Sequence, residues 1–285
     1  MVMYILENNL KKTNMKTIKI TALFIFSLLL TGNLFAQSQL ITVPLSDPGK
    51  TYKLDMHLLD GSIKITGYEG KDIIVDVETD SSKSHRNEET GSGMHRIDGG
   101  NSVDLTATEN NNTVNISAGR SRKAVTIVVK VPQTTATFTV GTVTHGDITI
   151  SNISGTMEVN NVNGSITCNN ISGSLVANTV NGKVLVTFKS IDPKAAMAFS
   201  TLNGNIDVTF PAGTSANFKL KSDRGDVLTD FDMAIDKTQP KATVTNEDRM
   251  HRISIEDWIY GKINGGGPEI MMKNMQGSIY IRKAK

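Results

Sequence analysis

The sequence has a single cysteine and few aromatic residues. Cys168 is the only cysteine among 285 residues, which excludes an intrachain disulfide and a zinc site built from cysteines. Aromatic side chains make up 5% of the chain, so an ordinary aromatic-rich globular core is not expected. Hydrophobic residues still reach 38%, which argues against a wholly disordered chain. The chain must therefore build its core mainly from aliphatic side chains.

The sequence also has little excess charge of either sign. The formal net charge is +2, and residues 1–36 carry +3 through four lysines against Glu7, so the remainder of the chain carries −1. Proteins that bind nucleic acids derive much of their affinity from clustered lysine and arginine. The composition therefore predicts no nucleic-acid partner.

The N-terminus has the three parts of a secretory signal. Lys16 and Lys19 form a basic region ahead of an apolar stretch at residues 20–30. Ala36 then supplies a small residue suited to cleavage. We predict a signal peptide over residues 1–36.

The apolar stretch is too short for a membrane anchor. It has 11 residues, whereas a spanning helix needs about 20. Met15 is an alternative translation start, and the mature chain is predicted to begin near Gln37. No later segment is apolar enough over sufficient length to span a bilayer. We expect an exported protein of the periplasm or outer cell surface, without a transmembrane segment after signal cleavage.

A nine-residue repeat occupies the centre of the sequence. In each full unit the third, fifth and eighth positions are apolar. Positions three and five share one face of a strand because side chains alternate along it, and position eight breaks that alternation. The chain is therefore expected to turn a corner between positions five and eight. The glycines that open the units are Gly146, Gly155, Gly164, Gly173 and Gly182.

A second period of 18 residues lies over the first. The residues before each glycine alternate between Ile-Ser and Val-Asn, so we interpret 18 residues as one coil of two unlike strands. This predicts an all-β solenoid, similar to a single-stranded β-helix, with Ile148 stacked near Ile166 and Met157 near Leu175. Asn-Gly between short strands is also a hairpin signal, so an antiparallel meander or sandwich is the alternative.

The chain is expected to have three parts. They are the signal peptide at 1–36, an N-terminal β region at 37–140 that continues into the solenoid, and a repeat region at 141–285. Residues 81–101 are polar and glycine-rich, which predicts a long mobile loop within the N-terminal region.

Several motifs occur in a fixed order along the chain. They are Val131-Pro132, the alternating Ile-Ser-Gly and Val-Asn-Gly units, Asn203–Val208 and Gly277–Ile281. From about Leu54 to Lys283, this order resembles a widespread bacterial family of exported β-strand-repeat proteins, labelled adhesins or domains of unknown function. The resemblance implies a right-handed, solenoid-like β fold in an envelope-associated protein, and it implies no catalytic residues.

The residues themselves predict no catalytic, cofactor-binding or metal-binding site. The histidines lack a recognised zinc spacing, and the turns carry neutral Asn and Ser where a calcium-binding nonapeptide roll needs a carboxylate. Cys168 falls at an interior position and is predicted to be a buried apolar residue. Trp258 and Tyr260 alternate on a predicted strand and could offer a stacking platform for a sugar or peptide. Core packing or a solenoid cap is the other interpretation of this pair.

These observations predict a non-enzymatic interaction protein of the bacterial envelope that resembles an adhesin. Its expected partner is an unidentified envelope or surface component, either a protein or a glycan. A structural or stress-signalling accessory of the envelope is the alternative. A polysaccharide-active β-helix enzyme is disfavoured because the repeats provide no clustered carboxylates.

Overall fold

The computed structural model of the chain describes residues 40–79, 104–119, 125–238, 242–247, 250–255 and 258–285. The predicted signal peptide and the loop predicted at 81–101 lie outside the described residues. The residues in these ranges form one compact unit. All regular elements in the described ranges are β-strands, as the repeat pattern predicted.

The strands are numbered in chain order. Their bounds are β1 (Ile41–Val43), β2 (Tyr52–Asp60), β3 (Ser62–Tyr68), β4 (Ile73–Thr79), β5 (Leu105–Asn110), β6 (Thr113–Ala118), β7 (Val125–Pro132), β8 (Ala136–Thr144), β9 (Ile148–Ser151), β10 (Ser154–Asn161), β11 (Ile166–Asn181), β12 (Val184–Ile191), β13 (Met197–Asn203), β14 (Ile206–Phe210), β15 (Ala216–Arg224), β16 (Val227–Thr229), β17 (Met233–Asp236), β18 (Ala242–Glu247), β19 (Met250–Ile255), β20 (Ile259–Ile263), β21 (Glu269–Gln276) and β22 (Ile279–Lys283).

Two strands and the corner between them make one coil, and the coils stack through parallel pairing. The stack runs β6/β7, β2/β3, β8/β9, β10/β11, β11/β12, β13/β14, β21/β22 and β15/β16. The long strand β11 serves two successive coils because it passes from one face of the solenoid to the other. We name the face that contains β6, β2, β8, β10, the second half of β11, β13, β21 and β15 the first face. The second face contains β7, β3, β9, the first half of β11, β12, β14, β22 and β16.

The predicted interior ladders are present. Ile148 pairs with Ile166 and Met157 pairs with Leu175, each in parallel register. All four side chains are buried. The 18-residue coil is therefore confirmed, and the antiparallel meander is wrong for these coils. Like side chains stack because equal coil lengths bring equivalent positions into register.

The corner that leads into each Ile-Ser pair has the geometry of a tight turn. Asn152 and Asn170 adopt left-handed backbone conformations, with φ of 57° and 54°. Asparagine tolerates this conformation because its short amide can hydrogen-bond locally. The turn returns the next residues, Ile153 and Ile171, to the buried interior.

The other corner, which leads into each Val-Asn pair, differs from the repeat pattern, in which the apolar residue at position eight was expected to behave like those at positions three and five. Val162 and Val180 point outward and are each 38% exposed, whereas the polar residues Asn161 and Thr179 are buried beside them. The two corners are therefore chemically unlike, which explains the 18-residue alternation. Equivalent positions in six stacked coils form one exposed apolar row, which consists of Leu59, Val143, Val162, Val180, Leu202 and Met275.

The inward polar side chains hold adjacent coils together. In six of the eight coils, one such residue donates a hydrogen bond to a glycine carbonyl of the neighbouring coil, over distances of 2.8–3.1 Å. These bonds satisfy carbonyl groups that would otherwise be buried without a donor. The donor and acceptor pairs are Thr142–Gly61, Asn161–Gly146, Thr179–Gly164, Thr201–Gly182, Asn274–Gly204 and Ser222–Gly277.

Glycine is required at this corner by close backbone approach. A Cβ atom added to Gly164 would lie 2.0 Å from the carbonyl oxygen of Gly146. The same atom on Gly182 would lie 2.1 Å from the oxygen of Gly164. The repeat glycines therefore set how closely the coils stack.

Neither chain-terminal coil lies at an end of the stack. The last coil in sequence, β21/β22, is inserted between β13/β14 and β15/β16. Likewise β2/β3 lies between β6/β7 and β8/β9. Antiparallel strands then cover the outer coils: β5, β4 and β1 at one end, and β20 and β17 at the other. Such short antiparallel strands reduce the exposed edge available for association with another sheet.

Candidate functional site

The two predicted aromatic residues lie at the C-terminal end of the first face. Trp258 immediately precedes β20, and Tyr260 lies on it. Because side chains alternate along a strand, Trp258 and Tyr260 point outward and are half-buried, while Gly261 and Ile263 are buried. The structure therefore brings the aromatic pair together on an outer surface.

Three lysines surround the Trp258 indole. Lys219 and Lys221 alternate on β15, and Lys273 lies on β21, directly opposite Lys221. The three Nζ atoms lie 4.6, 5.9 and 6.0 Å from the indole centroid, in the order Lys219, Lys221 and Lys273. Ammonium groups within about 6 Å of an aromatic ring are attracted by its quadrupole. We call Trp258, Tyr260 and these three lysines the Lys–Trp surface.

Few negative charges offset these lysines. The Lys221 ammonium lies 3.6 Å from Asp223 Oδ1. Across the described ranges, no carboxylate lies within ion-pair distance of Lys219 or Lys273. The surface therefore combines an aromatic ring with an excess of positive charge.

A shallow cleft adjoins the Lys–Trp surface. Its volume is about 340 Å³, and Tyr260 forms part of its wall. Asn217, Asp236, Lys262 and Glu269 also line it. The cleft therefore offers amide and carboxylate oxygens beside the positive surface, groups that can accept hydrogen bonds from neutral hydroxyls.

Sequence reasoning identified the aromatic residues and missed the lysines. The alternation of Lys219 and Lys221 was visible, because two lysines separated by one residue share one face of a strand. Lys273 lies 52 residues beyond Lys221, and its place beside Lys221 depends on the insertion of β21 into the stack. No repeat spacing in the sequence indicates that insertion.

Cys168 has the interior position that the repeat predicted. Its side chain is fully buried, and this burial raises the pKa of the Cys168 thiol to about 12. A thiol with such a pKa is uncharged at neutral pH, so Cys168 is a packing residue and is chemically inert in the folded protein.

The described ranges contain neither a membrane-spanning helix nor a metal-binding cluster. None of the residues that the structure describes belongs to a helix long and apolar enough to cross a membrane. Within the same ranges, no three His, Cys, Asp or Glu side chains gather closely enough to hold a metal ion.

The central part of the chain matches the model of a domain of unknown function. Residues 137–257 match the family described as Toastrack DUF4097. This match confirms that the motifs resemble a domain family of unknown function. The matched range includes Lys219 and Lys221, and it ends immediately before Trp258.

Two solved structures are similar to the chain at low sequence identity. A putative cell adhesion protein from Clostridium sporogenes has 11% identity, with 87% of this chain and 100% of that chain covered at a TM-score of 0.44. A putative adhesin from Bacteroides fragilis has 13% identity, with 86% and 97% covered at a TM-score of 0.30. No curated protein matches the chain.

Proposed function

We propose that the protein is a non-enzymatic, exported, adhesin-like component of the bacterial envelope that binds a surface partner through the Lys–Trp surface. The observation that carries this proposal is the position of Trp258 and Tyr260 on an outer sheet face, with three ammonium groups around the indole. Recognition surfaces typically place partly exposed aromatic side chains next to positively charged ones. The rigid stack of coils behind them provides the fixed platform that such a surface needs.

The spacing of carboxylates supports a binding role over a glycosidase role. Asp236 and Glu269 border the cleft next to Tyr260. Asp236 lies on β17 and Glu269 on β21, with β20 and β15 between them. Three strand spacings separate the backbones of β17 and β21 by about 14 Å. The catalytic carboxyl groups of glycosidases lie about 5–9.5 Å apart. The backbones of this pair are therefore set wider than that separation, which favours a binding role.

Export is tested by locating the mature protein in the bacterium. We expect it in the periplasmic or surface fraction with an N-terminus near Gln37, as the signal sequence predicts. Fractionation followed by N-terminal peptide mapping measures both properties. Recovery of the uncleaved chain from the cytoplasm would refute the export part of the proposal.

Binding is tested with purified residues 37–285 and envelope fractions. We expect saturable binding that Trp258→Ala weakens. Tyr280→Ala is the matched control, because Tyr280 is an outward aromatic on the second face beside Arg282, whose guanidinium lies 5.1 Å from the ring. Absence of saturable binding to any envelope fraction would contradict the proposal. Equal losses in the two variants would refute the assignment to the first face.

A further inference from the structure

The arrangement of the lysines indicates the charge of the partner. Lys221 and Lys273 are directly opposite each other on adjacent parallel strands, where like charges destabilise a sheet. Lys219 adds a third ammonium two residues from Lys221, and it lies nearest the indole at 4.6 Å. An anionic ligand would offset the repulsion among these three groups. The surface therefore favours a partner with negative charges.

The surroundings of the lysines indicate that the partner also carries neutral polar groups. Asp236 and Glu269 line the cleft beside Tyr260, together with the amide of Asn217. A surface that presents only anionic groups, such as a bilayer of acidic lipids or a nucleic-acid backbone, would be repelled by these carboxylates. Hydroxyl groups would instead donate hydrogen bonds to them. This mixture fits a chain that alternates charged and neutral polar groups.

The indole adds a flat apolar surface at the same place. Trp258 presents its ring among the ammonium groups, with Tyr260 two residues further along β20. The apolar face of a sugar ring can pack on such an aromatic surface, whereas an extended acidic peptide presents no comparable ring. The first face is built from adjacent strands, so a linear chain can lie across β21, β15 and β20.

We propose that the Lys–Trp surface binds an acidic polysaccharide. Its carboxylate or sulfate groups draw the ammonium groups of Lys219, Lys221 and Lys273 off the indole, one sugar ring takes their place on Trp258, and neutral hydroxyls reach the cleft beside Tyr260. This inference rests on the proposed binding function and specifies the chemical class of its ligand.

The test measures binding of purified residues 37–285 to defined polymers at low and moderate salt. The acidic probes are polygalacturonate, which carries carboxylates, and dextran sulfate. The neutral counterparts are fully methyl-esterified pectin and dextran. We expect binding to at least one acidic polymer, at least about tenfold weaker binding to its neutral counterpart, and weaker binding as salt screens the charges. The preferred acidic polymer identifies the anionic group.

Matched variants assign the binding to the Lys–Trp surface. We expect the double variant K219Q/K273Q to weaken binding about tenfold or more, and W258A to weaken it about five- to tenfold. The control double variant K64Q/K183Q removes the same charge from exposed lysines elsewhere and should change binding less than twofold. Circular dichroism and the melting temperature verify that each variant is folded.

The outcomes separate this inference from the proposed function. Saturable envelope binding without affinity for either acidic polymer would overturn the inference and leave the proposed function intact. Equal losses in K219Q/K273Q and K64Q/K183Q would show charge attraction without a defined site, and would overturn it as well. Equally tight binding to poly-glutamate or to phosphatidylglycerol vesicles would replace the polysaccharide by an acidic peptide or a membrane.

Discussion

The central coils and the C-terminal end of the solenoid are held together by the same kinds of contact. They differ in whether the coils stack in the order in which they occur along the chain. In the central coils, β8 to β14, chain order and stack order coincide, and the outer residues of the first face are mostly uncharged. At the C-terminal end, formed by β15, β16 and β20 to β22, the last coil in sequence is inserted before an earlier one. The C-terminal end also carries the Lys–Trp surface. Regular stacking therefore builds the scaffold, and the departure from chain order assembles the candidate site.

The inserted coil reproduces the corner contacts of the central coils. Asn274 donates to the Gly204 carbonyl over 3.1 Å, just as Thr179 donates to Gly164 over 2.8 Å. On the second face, Arg282 of β22 forms two hydrogen bonds with Asp207 of β14, of 2.7 and 2.9 Å. The position of a coil is therefore decided by matching corner residues and cross-strand pairs, and sequence neighbours need not be spatial neighbours.

The largest expected effect comes from adding a methyl group to a corner glycine. Gly164→Ala places a Cβ atom 2.0 Å from the Gly146 oxygen in the central coils, so we expect a loss of about 4 kcal/mol in the free energy of unfolding. Gly225→Ala makes a similar clash, 1.9 Å from the Gly277 oxygen, but its coil is the outermost of the parallel stack and can shift. We expect about half the loss there. Urea unfolding measures both.

Gly213→Ala is the control for these two substitutions. A Cβ atom added to Gly213 would have no heavy atom within 4 Å, and the Gly213 backbone is outside the left-handed region. We expect a change within about 0.5 kcal/mol. Equal stability of the Gly164 and Gly213 variants would contradict close coil stacking at the corner.

The second effect tests whether the coil β21/β22 lies inside the coil β15/β16 in the stack, although it comes later in the chain. Ile281 of β22 is fully buried, so Ile281→Ala should cost about 3 kcal/mol of unfolding free energy. Val227 of β16 is only half-buried because its coil is outermost, and Val227→Ala should cost about 1 kcal/mol. Thermal and urea unfolding measure both variants. A stack in chain order would bury Val227 more deeply than Ile281 and would reverse the ranking.

The third effect concerns the inward hydrogen-bond donors. Thr179→Val keeps the shape of a buried side chain but leaves the Gly164 carbonyl without its hydroxyl donor, at a cost of about 1–2 kcal/mol. Ser222→Ala removes the equivalent donor to Gly277 in the half-buried end coil, where water can replace it, so about 0.5 kcal/mol is expected. Thr187→Val, on the exposed outer surface, is the control in the same unfolding assay. A Thr179 variant as stable as the control would contradict the role of these donors.

The smallest effect separates binding from stability at the Lys–Trp surface. Lys273→Gln removes the like-charge pair with Lys221 and should raise the free energy of unfolding by about 0.3 kcal/mol at low salt. The gain should disappear at high salt because the repulsion is screened. Lys64→Gln is the control, since Lys64 pairs across the sheet with Val128 and Thr149 and has no charged neighbour there. A clear loss of stability in the Lys273 variant would indicate a structural role for this lysine.

The central coils were predictable because a single local rule repeats in them. The nine-residue spacing placed Ile148, Met157 and Cys168 in the interior, and the structure confirms each. The outward position of Val162 was not predictable from apolar character, because the buried Asn161 beside it takes the inward place and bonds to the Gly146 carbonyl. A polar residue occupies this inward position because the buried Gly146 carbonyl needs a hydrogen-bond donor.

The C-terminal end was predictable only in part, because its contacts join residues far apart in sequence. The alternation of Trp258 and Tyr260 indicated a shared strand face, and the structure places both outward. The contribution of Lys273 depends on the pairing of β21 with β15, which no local pattern specifies. Two antiparallel strands, β20 and β17, also cover β15 in place of a further coil.

Hydrogen exchange with bound acidic polysaccharide tests the division between scaffold and site most directly. The measurement compares amide protection of residues 37–285 with and without the tighter-binding acidic polymer. The account predicts added protection in peptides that cover β15, β20 and β21, with no change across the central coils β8 to β14. Added protection spread along the central coils, with none at β15, β20 and β21, would contradict it.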